Sequence, residues 1–138
     1  MDRARPRAPG VRFTAELAPC EVIGDASALE RAVLNLLDNA AKWSPPGGEV
    51  QVVLRAGVAP ERPGTAVLEV ADAGPGIAPE ERALVFDRFF RSADARTMPG
   101  SGLGLSIVAQ TASRHHGGVS AHEAPTGGAL LQFWIPRA

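Results

Sequence analysis

"ASALERAVLNLLDNAAKWSPPGGEVQVVLRA" (residues 26–56) changes its apolar period once, at "PPGG" (45–48). Before the break, Leu29, Val33, Leu36, Leu37 and Ala40 recur at three- and four-residue spacing, the stripe of an amphipathic helix over 26–43. Ser27 and Glu30 stand as a capping box at its start. After the break, "EVQVVLRA" (49–56) is rich in β-branched residues and reads as a strand. Upstream, "VRFTAEL" (11–17) alternates strictly, with Val11, Phe13, Ala15 and Leu17 on one side, as a half-buried strand does. A second short strand is expected at "CEVIG" (20–24). Downstream, "TAVLEVAD" (65–72) is a further strand, reached through the loop "GVAPERPG" (57–64). Pro79, Glu80 and Glu81 open a short helix with acids in its first turn. "RSADARTMPGS" (91–101) has no apolar period and reads as a mobile loop. A helix from about 103 to 116 is expected to end at Gly117 and Gly118, and "VSAHEA" and "ALLQFWIP" close the chain as strands. This order predicts an α/β two-layer sandwich, a mixed and mostly antiparallel sheet covered on one face by three helices.

A chain of 138 residues is about one domain and can bury a real core. A net charge of −1 excludes the broad basic field of a nucleic-acid binder, and 45% hydrophobic residues excludes disorder. The single cysteine, Cys20, excludes an intrachain disulfide and reads as a small buried hydrophobe in a reducing, cytosolic setting. No apolar run approaches the roughly 20 residues of a membrane span, so no direct membrane contact is expected. "MDRARPRAPG" (1–10) reads as a linker before a domain of 11–138.

Three placements carry chemistry. At about 100° per residue, Asn35, Asn39 and Lys42 fall within an arc of about 60°, beside the apolar stripe but separate from it. Their amide oxygens suit a hard divalent cation, and their N–H groups and the ammonium suit phosphate oxygens. Asp72 shares a strand face with Leu68 and Val70, so its carboxylate is expected in the interior, where it needs a donor. Gly74, Pro75 and Gly76 leave space beside it and Ile77 offers an apolar wall, a fit for a flat ligand with an exocyclic amino group such as adenine. In "GSGLGLSIV" (100–108), Gly100, Gly102 and Gly104 precede a helix. Glycines there let backbone N–H groups and the positive end of the helix dipole approach an anion such as a phosphate chain. Neither a P-loop nor the dinucleotide-binding spacing is present.

"NLLDNAAKW" (35–43), "DAGPGI" (72–77), "FDRFFR" (86–91) and "GSGLGL" (100–105), in this order, resemble the N, G1, F and G2 boxes of the catalytic ATP-binding domain of sensor histidine kinases. That domain has the Bergerat fold of the superfamily that includes gyrase, Hsp90 and MutL, and the resemblance covers about residues 11–136. It implies ATP and Mg2+ as cofactors. By it Asn39 ligates Mg2+, Asn35 polarises or orients the reacting groups, and Asp72 accepts from the adenine amino group in a pocket shaped by Gly74, Gly76 and Ile77. Lys42, Arg88 and Arg91 become phosphate contacts. Ser101, Gly102, Leu103, Gly104 and Leu105 meet the phosphates at the helix entrance, and 91–101 is the nucleotide lid. Ala129 stands where superfamily members often carry threonine. No phosphoacceptor box occurs here, and His115 and His116 sit where a cation would oppose a helix dipole. The resemblance therefore implies a monomeric, cytoplasmic catalytic domain of a membrane-anchored kinase. It would pass the γ-phosphoryl of ATP to a histidine of a separate dimerisation/phosphoacceptor domain, and act on a response regulator only indirectly. A serine kinase of the anti-sigma type and a non-catalytic nucleotide-binding module are the alternatives.

Overall fold

The computed structural model describes residues 11–57, 64–87, 104–125 and 127–138. Its elements are β1 (Arg12–Leu17), α1 (Ala26–Trp43), β2 (Glu49–Ala56), β3 (Thr65–Ala71), a single 3-10 turn (Pro79–Glu81), α2 (Gly104–Arg114), β4 (Gly118–Glu123) and β5 (Ala129–Pro136). The five strands form one sheet in the order β1-β2-β3-β5-β4. Only β1 and β2 run parallel, because the chain crosses between them through α1, and the other neighbours are antiparallel. The mixed, mostly antiparallel sandwich is as expected. Of the three covering helices, two are α-helices among the described residues and the Pro79 helix is reduced to its 3-10 turn.

The core lies between α1, α2 and one sheet face, where Leu36, Val50, Val70, Val108 and Leu131 are sealed from water. The α1 stripe lands as its spacing requires, with Ala32 added to Leu36, Leu37 and Ala40 as fully covered positions. On β3, Leu68 and Val70 face this core.

Several local expectations are corrected. Asp25, rather than Ser27, caps α1: its side chain accepts from the Ala28 N–H at 3.1 Å, and Ser27 lies inside the helix. "CEVIG" forms no strand. β1 is already a sheet edge, so the chain must leave the sheet at once to reach α1, and Ile23 is 85% exposed. Cys20 is half-buried rather than interior. On β1 only Phe13 enters the core, and Leu17 is 58% exposed because the helical cover does not extend over this end of an edge strand. α2 ends at Arg114, and His116 rather than a glycine takes the left-handed conformation, at φ 66°.

Candidate nucleotide site

α1 sends its polar row into a cleft of about 670 Å³ beside the core, within the size range of small-ligand sites. Asn35, Asn39 and Lys42 line one side, Asp72, Gly76 and Ile77 another, and Gly104 and Leu105 stand at the mouth. Residues about 70 positions apart in sequence thus line one cavity, as the resemblance implied. Arg88, Arg91, Ser101, Gly102, Leu103 and the lid at 91–101 lie outside the described residues.

The two halves of the cleft are pinned together at Ser44. Its hydroxyl donates to the Ala40 carbonyl at 2.9 Å and accepts the Ala73 N–H at 3.1 Å, tying the end of α1 to the loop after Asp72. Gly74 sits against this junction, since a Cβ there would lie 2.7 Å from the Trp43 carbonyl oxygen. The expected pocket-shaping role of Gly74 is therefore indirect: its N–H holds Asp72 at 2.9 Å.

Asp72 is 4% exposed. Its Oδ1 accepts two backbone N–H groups, from Gly74 at 2.9 Å and Ala129 at 3.0 Å. Among the described residues Oδ2 has no partner. Desolvation pushes the carboxyl above its ordinary value of 3.8, against the two hydrogen bonds that pull it down. A buried carboxylate with one saturated and one open oxygen is suited to accept from a ligand donor. The site behind it is built by the β4–β5 hairpin. Gly76, at φ +83°, approaches the Gly127 carbonyl, where a Cβ would sit 2.9 Å away, and a Cβ on Gly128 would overlap Asp72 itself. Ala129, where a threonine was the family expectation, contributes through its backbone.

Asn35 is turned toward α2: its Nδ2 donates to the Gly104 carbonyl at 3.4 Å, a long bond that links the two helices at the cleft mouth. Gly104 itself has no positive φ, and a Cβ there would meet no protein atom within 4 Å. Nothing in the described protein demands glycine at that position. His115 links the two helices: its Nε2 accepts the Asp25 N–H at 3.1 Å, and Nδ1 lies 2.7 Å from the Thr111 carbonyl, to which the Nδ1–H tautomer donates, so the ring staples the α1 cap to the α2 terminus.

Sequence reasoning missed Asp38, Trp43, Arg82 and Glu123, which also line the cleft. The position of Trp43 four residues after Asn39, on the same helix face, was a usable signal, whereas Glu123 is brought there only by the register of β4.

The model of the histidine kinase-, DNA gyrase B- and HSP90-like ATPase family matches residues 24–138. The chain belongs to this family. Within it, the ATPase domain is of the histidine-kinase type. It is 54% identical over 128 residues to the signal transduction histidine-protein kinase/phosphatase MprB of Mycolicibacterium vanbaalenii, covering 93% of this chain and 26% of that protein. The MprB of Mycobacterium avium is 51% identical over the same length and 24% of that protein. The chain thus spans about a quarter of the curated relatives it matches. The solved structure of a mycobacterial sensor histidine kinase MprB superposes with a TM-score of 0.90 at 50% identity, covering 99% of this chain and 90% of that one. Full-length ShkA, crystallised in complex with AMPPNP, superposes at 0.82 with 29% identity, covering 99% of this ATPase domain and 28% of ShkA. No helix among the described residues of the domain is long and apolar enough to cross a membrane.

Proposed function

We propose that this domain binds Mg2+–ATP in the cleft and, within a longer sensor kinase, delivers the γ-phosphoryl to a histidine on a separate dimerisation/phosphoacceptor domain. The observation that carries the reading is Asp72, a buried carboxylate on the cleft wall with Oδ1 doubly bonded to backbone and Oδ2 open. Mg2+–ATP supplies the reacting phosphoryl group and neutralises charge on its oxygens. The chain's part is positioning and electrostatics. Asp72 takes the adenine amino group against Ile77. Asn39 offers its amide oxygen to the cation. Among the described residues no cluster of three or more His, Cys, Asp or Glu could hold a metal ion. Lys42, with Arg88 and Arg91, draws the phosphates, and Ser101, Gly102, Leu103, Gly104 and Leu105 present the helix entrance to them. The proton of the acceptor imidazole leaves to a base on the acceptor domain. The parent kinase is membrane-anchored with this domain on the cytoplasmic side, the domain is monomeric, and a response regulator receives the phosphoryl group in a second step.

The test is transfer. Incubated with γ-radiolabelled ATP, Mg2+ and the helical-hairpin acceptor domain of its own kinase, this domain places acid-labile label on the acceptor histidine. Tight nucleotide binding with no transfer marks a binding module, and acid-stable label on serine marks the other kinase chemistry. Either result overturns the reading.

A further inference from the structure

Arg82 belongs to none of the sequence boxes, yet its guanidinium joins the two walls of the cleft at the Asp72 end. Nε donates to the Ile77 carbonyl at 3.2 Å, and an outer nitrogen lies 4.0 Å from Glu123 Oε1. Ile77 continues the loop that leaves Asp72. Glu123 ends β4 and leads into the hairpin whose Ala129 N–H holds Asp72. Both residues line the same cleft as Asp72.

The two attachments differ in kind. The Ile77 bond is a directed N–H···O contact that fixes the inner edge of the guanidinium. The Glu123 contact is long, and that carboxylate is 69% exposed, so it contributes little to stability and is readily given up. The plane is therefore anchored on one edge and free to change partners on the other, in the wall of the cleft that also holds the open Asp72 oxygen. A flat heteroaromatic ring docked by its amino group against Asp72 would occupy the cleft that Arg82 and Ile77 also line. A guanidinium covers such a ring through stacking and cation–π attraction in a way an ammonium does not.

From this geometry we propose that Arg82 is a specificity-determining residue for the nucleoside half of the ligand, its guanidinium covering the base held by Asp72. The proposal rests on the nucleotide reading above and adds a contact to the base rather than to the phosphates. Adenosine and ADP, titrated by NMR chemical shift and by calorimetry, separate the two. Arg82→Ala weakens both ligands by the same factor, about two- to thirtyfold. Arg82→Lys recovers little of this, because charge without a planar fork does not stack. Thermal unfolding of each variant close to that of the parent keeps a folding defect out of the comparison. Unchanged adenosine affinity in Arg82→Ala overturns the assignment, whether or not ADP weakens, and so does full recovery by Arg82→Lys. A parent domain that binds neither adenosine nor ADP fails the nucleotide reading itself, and the two failures are told apart by that measurement.

Discussion

Asp72 sets function against stability at one residue. Burial raises its carboxyl above 3.8, so folding disfavours the ionised form relative to the unfolded chain. The associated stability is present in acid and is lost as pH rises from 3.8 through the folded value. Asp72→Asn keeps an oxygen for the Gly74 and Ala129 N–H groups and removes the buried charge. The variant is therefore expected to unfold at a higher temperature than the parent at neutral pH, with the gap closing toward pH 3.8. Its amide N–H2 would face the adenine amino group, donor against donor, and ADP affinity should fall by about five- to 150-fold, since such a mismatch leaves buried groups unpaired at about 1–3 kcal/mol. Calorimetry and a pH series of melting curves check both; a variant that is less stable and binds ADP normally would mark Asp72 as a structural residue only. Parent affinity should itself decline as pH falls through the raised Asp72 value. The position of Asp72 was legible because counting by twos from Leu68 and Val70 put a carboxylate on a buried face. Its two backbone donors were not, because Ala129 lies 57 residues away and reaches Asp72 only through the pairing of β3 with β5.

At the scale of elements, the ends of α2 show two uses of backbone. The C-terminal end places His116 at φ 66°, with the Gly117 N–H returning to the Ala112 carbonyl at 2.8 Å, the closure of a left-handed cap. A non-glycine residue in that conformation costs about 1 kcal/mol, so His116→Gly is expected to stabilise the domain by about that much, measured by denaturant titration. No gain would mean the His116 side chain makes a compensating contact. The sequence favoured glycine for this role and so assigned it to Gly117, whose lack of a side chain instead admits the backbone of Trp134. At the other end, Gly104 is unconfined by protein atoms. Gly104→Ala should leave the melting temperature unchanged or slightly raised, since alanine is the better helix former, while weakening ADP and ATP but not adenosine. Equal adenosine and ATP losses would remove the phosphate role. The open sheet face was the least legible feature. Arg55 pairs with Glu69 at 3.4 Å, Gln132 donates to Glu69 at 2.6 Å, and Ser120 bridges Gln132 and His122. This ladder crosses four strands, and register alone aligns it: the helices of one layer were readable from periodicity, and the strand order was not.

For the molecule as a whole, core and site share α1 but use different arcs of it. Leu36 is fully buried among Val50, Val70, Val108 and Leu131, and it does not line the cleft that Asn35 and Asn39 enter. Leu36→Ala removes a buried side chain and leaves a cavity, at a cost of about 2–5 kcal/mol. In a domain of 138 residues that lowers the melting temperature by on the order of 10 °C. If α1 behaves as a rigid bar held at its ends by the Asp25 cap and the Ser44 junction, the polar row keeps its geometry in whatever fraction is folded. Ligand then stabilises parent and variant alike, by about 2.7 kcal/mol at a concentration of 100 times the dissociation constant. The melting curves with and without Mg2+–ADP should accordingly shift in parallel, the variant remaining lower by the same interval in both. A variant whose shift with nucleotide collapses would show that the core residue sets the pitch of α1, so that packing and ligand geometry are one cooperative property rather than two.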